Sequence, residues 1–140
     1  HYIYLRLDRE KIAVRDYIPQ IIQPTIGILT NIGSAHDEGF ADVGQKIKEK
    51  LKLFTDVSVL ILNKNKTIEA FLYPKIKTFT WSSDDGKADV FVIAKEIDEA
   101  TELKITYNKL CFSIKIPFQD QASVENAIHC LMVLLYFDYN

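Results

Sequence analysis

The chain has 140 residues, 48% of them apolar and 26% charged, with a formal net charge of −2. That is one domain's length, enough to bury a core, in an ordinary globular composition. The small net charge excludes an electrostatic case for nucleic acid or an anionic membrane as partner. Residues 128–137 are densely apolar but too short a run to span a bilayer, and no signal peptide opens the chain. Cys111 and Cys130 lack the spacing of a metal site or a disulfide framework, and their apolar neighbours predict buried, reduced thiols. A cytoplasmic protein is expected. The chain opens at His1 without an initiator Met and is read as a piece of a longer protein.

In chain order, residues 2–7 alternate enough to predict a strand, and the charged residues 8–15 a loop or short helix. Pro19 and Pro24 punctuate the next stretch, and Pro24 disfavours helix at Gln23. Residues 25–32 (TIGILTNI) form a β-rich run, and Gly33 permits a sharp turn after it. Asp42 is expected to cap a helix over residues 43–54, where Val43, Ile47, Leu51 and Phe54 make one apolar stripe. The continuous apolar run 57–62 (VSVLIL) predicts a strand covered on both faces. Residues 67–73 read as a short helix ending before Pro74, and residues 77–81 as a strand. Asp84-Asp85-Gly86 is a turn before a strand at 90–97, and residues 103–107 and 110–116 flank Asn108-Lys109 as a hairpin. Ser123 is expected to cap a last helix over 124–137, apolar nearly all round and therefore buried. Together these predict an α/β fold: a mostly parallel sheet with flanking helices plus a small antiparallel hairpin region.

A strand that ends in a polar turn delivers side chains to the C-terminal edge of a parallel sheet, where open α/β sheets bind ligands. Here the run 25–32 brings Asn31, Ser34, His36, Asp37 and Glu38 to that edge. An exposed polar loop is the plain alternative. The following helix carries Lys46, Lys48, Lys50 and Lys52, which a helical wheel separates. Lys48 and Lys52 point away from the apolar stripe and Lys46 is nearly perpendicular to it. Lys50 sits at its margin, between Ile47 and Phe54, partly buried or snorkelling outward. A partly dehydrated lysine is biased toward a lowered pKa. As a neutral amine it can add carbon dioxide, and the carbamate is an oxygen ligand of the kind Mg²⁺ prefers.

Residues 22–54 (IQPTIGILTNIGSAHDEGFADVGQKIKEKLKLF) resemble the central domain of the Mur ligases. That pattern has a strand ending T-N-I, a turn with A-H, and a helix with Lys four residues before Phe; Lys50 and His36 occupy the Lys and His positions. The form A-H-x-E-G-F, here from Ala35 to Phe40, most resembles the branch that adds D-alanyl-D-alanine. Residues 59–63 (VLILN) are similar to the next strand and its terminal Asn, with Asn65 where the family usually has Asp. Residues 79–97 resemble a short strand, a loop, and A-D-V opening another strand. Residues 122–131 (ASVENAIHCL) resemble a helix start H-N-x-x-N-A-L; Asn126 and Ala127 match, while Ala122 and Ser123 replace His and Asn. The resemblance makes residues 21–140 a partial ATP-binding central domain and leaves 1–20 an unassigned N-terminal segment.

The resemblance implies an ATP-dependent amide ligase of peptidoglycan precursor synthesis. A substrate carboxylate is phosphorylated, and an amine then displaces phosphate from the acyl phosphate. The partners would be a UDP-MurNAc-tripeptide and D-alanyl-D-alanine. By the same resemblance His36 and carbamylated Lys50 hold Mg²⁺, Asn31 lines the edge, and Asn126 contacts adenine through its amide. Asn126 also lies three residues after Ser123, where it would only support the helix start. The chain departs from the family in lacking a phosphate loop ending G-K-[ST], since Gly86-Lys87 leads into a strand. An acidic Mg²⁺ ligand before the T-N-I strand has no counterpart either. The isolated chain is therefore expected to lack ligase activity and to bind ATP weakly. Two other readings stand beside this one: a non-catalytic module that keeps the fold, and a relative of folylpolyglutamate synthase. Against the latter, Ala35-His36 stands where a D-H pair is expected.

Overall fold

A computed structural model describes residues 24–30 and 40–138, with residues 40–43 described for their backbone alone. The elements are β1 (Ile26–Leu29), α1 (Phe40–Leu51) running into a 3-10 turn (Lys52–Phe54), β2 (Val59–Asn63), α2 (Lys66–Glu69) and β3 (Thr78–Ser82). Then come β4 (Val90–Ile97), β5 (Ala100–Tyr107), β6 (Leu110–Ile116) and α3 (Gln121–Tyr136). The strands make one six-stranded sheet in sequence order. β1 to β4 pair in parallel, and β4 to β6 form an antiparallel meander. The predicted mostly parallel α/β sheet is what forms. Its antiparallel part is a three-stranded meander, because β5 begins at Ala100 and joins β4 through a tight turn at Asp98-Glu99, with Asp98 at φ 54°.

The sheet has two differently covered faces. On one, Leu29, Leu60 and Leu62 pack against Ile47, Leu51 and Val57, with Phe54 and Phe71 at the margin. On the other, Val59, Ile61, Phe79, Trp81, Val90, Val92, Leu103 and Ile105 pack against Ile128 and Met132 of α3. Strand period two explains the division, since alternate residues of β1 and β2 belong to opposite clusters. β2 supplies both, with Val59 to Leu62 wholly buried, as its unbroken apolar run requires. Gly27 lets the Phe54 ring lie directly on β1; a Cβ there would collide with that ring and press on Leu60.

Several local expectations are corrected. α1 starts at Phe40, so Asp42 lies inside the first turn and is not the cap. α3 starts at Gln121 with Asp120 as N-cap, whose carboxylate accepts the Ser123 N–H at 2.9 Å. Ser123 is therefore the residue being capped. α3 is also not buried all round: Leu134 is 50% and Phe137 38% exposed, because the sheet covers one side of the helix only. For the same reason Cys130 is exposed, and Cys111, on the uncovered face of edge strand β6, is exposed too. The expected strand at residues 2–7, the segment 8–15 and the turn after residue 30 lie outside the described residues.

Candidate functional site

The C-terminal edge of the parallel strands is shaped by an offset between β3 and β4. Only Trp81↔Val90 and Ser82↔Phe91 are paired. β4 thus begins level with the end of β3, which is why a loop of residues 83–89 suffices for a parallel connection that ordinarily needs a dozen residues. The remainder of β4, residues 92–97, projects beyond the edge by roughly 20 Å at about 3.3 Å per residue. It carries β5 and β6 with it as a wall.

That offset leaves Thr80 facing a place where β4 has not started. Asp89 fills it. Its Oδ2 accepts the Thr80 N–H at 2.7 Å and the Thr80 hydroxyl at 2.8 Å, and its own N–H donates to Thr80 Oγ1 at 3.2 Å. The Asp of the A-D-V pattern thus completes a broken ladder, since an unpaired backbone N–H beside a core is costly. The rest of the loop is equally tied. Ser82, fully buried, donates to Asp84 Oδ1 at 2.7 Å and accepts the N–H groups of Asp84 and Asp85. Asp85 accepts the Lys87 N–H at 2.9 Å, which holds its carboxyl below the usual range, and its other oxygen lies 3.4 Å from Lys64 Nζ. Lys64, just past the end of β2, is only 17% exposed and also reaches Glu69 at 3.9 Å. Asn65 caps α2 by accepting the Thr67 N–H at 2.8 Å. Capping is a role an Asp fills as well.

α3 closes the other side. The Trp81 and His129 rings lie 5.7 Å apart, and the Phe79 and Tyr136 rings 5.6 Å apart. Moving back along β3 therefore means moving forward along α3, so the helix is antiparallel to the strand and its N-terminal turns point past the strand's C-terminal end. Asn126 lies in those turns and is exposed. With Asp120 as the cap it is too far along to support the helix start, so that local explanation falls.

α1 lies on the opposite face of the sheet. Lys50 is in its last turn and half-buried, as the stripe predicts; Lys46 is half-buried too, whereas Lys48 and Lys52 are exposed. The wheel thus reduces the lysines to a pair rather than to Lys50 alone. Phe54, one turn on, touches Gly27 near the start of β1, so Lys50 stands toward that end of α1 rather than at its first turn. Asn31 and His36 lie outside the described residues. The described chain places Lys50 and Asn126 on different faces of one sheet, so a ligand touching both has to straddle its edge. No group of three or more His, Cys, Asp or Glu gathers among the described residues. Gly86-Lys87 forms part of the turn before β4, the wrong setting for a phosphate loop.

The residue that sequence patterns miss is His129. It is 4% exposed, and its Nε2 accepts the Trp81 indole N–H at 3.2 Å. The imidazole is therefore neutral with its proton on Nδ1, which has no hydrogen-bond partner among the described residues. Burial pushes its pKa down to about 4, against a weak opposing pull from the Glu125 carbonyl one turn back. Nothing local announces the pair, because its members are 48 residues apart.

A mostly parallel sheet with an antiparallel meander at one side and helices packed on both faces defines an open α/β domain. Within that class the chain belongs to the Mur ligase family: the Mur ligase middle domain matches residues 9–134. None of the curated proteins compared by sequence matches it. Solved structures share the fold. MurF ligase from Thermotoga maritima in complex with ADP superposes with a TM-score of 0.67 at 15% identity, over 89% of this chain and 30% of that one. The UDP-N-acetylmuramoylalanyl-D-glutamyl-2,6-diaminopimelate–D-alanyl-D-alanyl ligase of Acinetobacter baumannii gives 0.67 at 18%, over 90% and 28%. A UDP-N-acetylmuramoyl-L-alanyl-D-glutamate–2,6-diaminopimelate ligase gives 0.64 at 17%, over 82% and 26%. The chain thus spans less than a third of the length of each. No described helix is long and apolar enough to cross a membrane.

Proposed function

We propose that this chain is part of a cytoplasmic ATP-dependent amide ligase that adds D-alanyl-D-alanine to a UDP-MurNAc-tripeptide. The observation that carries the reading is the family match over residues 9–134 on a six-stranded, mostly parallel sheet. The A-H-x-E-G-F form from Ala35 to Phe40 favours this branch; the structural likeness extends to a ligase of diaminopimelate and does not choose between them.

In the proposed reaction a carboxylate oxygen of the tripeptide attacks the γ-phosphorus of ATP, and ADP leaves with the electrons of the broken P–O bond. The amine of D-alanyl-D-alanine then attacks the acyl carbon, phosphate departs, and the ammonium proton passes to solvent. Asn126 is proposed to read the adenine edge, donating and accepting through its amide. Asn31 is proposed to line the same edge, and His36 with carbamylated Lys50 to hold Mg²⁺, which would neutralise phosphate charge. The expected test is Lys50→Ala in the full-length protein, which should lower ligation by at least about 10²-fold, with partial rescue by short carboxylates. Near-normal turnover would remove Lys50 from the mechanism.

A further inference from the structure

We propose that Trp81 and His129 form a proton-operated latch that clamps the N-terminal half of α3, and with it Asn126, to the C-terminal end of β3. Among the described residues, the indole N–H to Nε2 bond is the side-chain hydrogen bond that crosses between α3 and the sheet, within an otherwise apolar cluster. Apolar packing is non-directional and tolerates sliding; a single buried donor–acceptor pair has one register, and slipping it strands both groups out of water. The bond sits at the level where β3 ends, one helical turn from Asn126. It therefore sets the height of that residue at the edge.

The chemistry of the latch is a single protonation. Nε2 uses one lone pair to accept the indole hydrogen. When that lone pair takes a proton from solvent, two N–H groups face each other at a distance that held a bond, and the pair must part. Among the described residues the group that favours the cation is the Glu125 backbone carbonyl, and burial outweighs its pull. β1 presents Ile26 and Ile28 to this cluster, β2 Val59 and Ile61, β3 Phe79, β4 Val90 and Val92, β5 Leu103 and Ile105, and β6 Phe112 and Ile114, with the phenols of Tyr107 and Tyr136 packed against it. On α3 itself the Glu125 carboxylate is taken up by Gln121 Nε2 at 3.0 Å, toward the start of the helix. The buried ring accordingly resists protonation well below its ordinary range, and the latch is closed at neutral pH.

Trp81 is the chain's single tryptophan, so its fluorescence reports the latch directly. In the full chain, lowering pH from 6.5 to about 4 should change that fluorescence reversibly while far-ultraviolet circular dichroism holds. Over the same range the Trp81 indole N–H should lose protection from solvent exchange in NMR, moving together with the His129 ring resonances. His129→Gln, whose amide oxygen accepts the indole hydrogen at every pH, should abolish both transitions. His129→Leu should leave the indole N–H unprotected even at neutral pH. The latch is overturned if His129→Gln keeps the wild-type transition, if wild-type indole and imidazole resonances titrate apart, or if dichroism collapses with the fluorescence. The bearing on nucleotide rests on the ligase reading, and the two fail separately. An intact latch with ATP affinity indifferent to Asn126→Ala in the full-length protein would sink the nucleotide contact alone; a missing transition would sink the latch alone.

Discussion

Asp89 shows how one side chain can substitute for a strand. Its carboxylate takes two hydrogen bonds from Thr80 at the point where β4 is absent. Asp89→Ala should therefore cost about 1–3 kcal/mol, the usual penalty for orphaning a buried donor, read as a lower urea midpoint at unchanged m value. Asp89→Asn, which keeps an acceptor, should recover part of it. His129 makes the complementary case, a buried base. Its pKa of about 4 in the folded chain lies below its ordinary 6.5, so the unfolded chain binds the extra proton first. Stability is then fully present above pH 6.5, falls as pH drops toward 4, and levels off below. The loss is on the order of 3 kcal/mol at about 1.4 kcal/mol per pKa unit, measurable by urea titration across that range and reduced in His129→Gln.

At the scale of elements, turns and caps decide where the regular structure begins and ends. The β5–β6 turn holds Asn108 at φ 46° and Lys109 at φ 67°, the left-handed pair that a two-residue hairpin demands. Asn tolerates that region; Lys is strained in it. Lys109→Gly should stabilise the chain by about 0.5–1 kcal/mol, seen as a higher melting temperature, and a loss would show that Lys109 contributes contacts outweighing its strain. The composition of α3, apolar nearly all round, predicts a buried helix, yet Ile128, His129 and Met132 face the sheet while Leu134 and Phe137 face outward. Apolar composition tells how much surface a helix would bury, not how much the fold offers to cover it.

For the whole molecule, the sheet acts as a partition. Lys50, on α1, and Asn126, on α3, lie on its opposite faces. The stability effects of Lys50→Ala and Asn126→Ala in this chain should add to within about 0.5 kcal/mol, as they do for independent sites. A coupling beyond that in a double-mutant cycle would mean that the two faces communicate without a ligand.

Much of the fold is legible in the chain itself. The apolar run of β2, the stripe of α1, the hairpin at Asn108-Lys109 and the T-N-I and A-D-V patterns are all local, and locality is what periodicity and turn chemistry report. The family followed from them. Tertiary structure decided the rest, because it depends on which elements become neighbours. The two-residue overlap of β3 and β4 makes Asp89 a ladder partner; the antiparallel course of α3 carries Asn126 to the edge; and the fold joins Trp81 to His129 across 48 positions. A sequence specifies a residue's chemistry, but a buried donor's need is defined only once its acceptor has, or has not, arrived beside it.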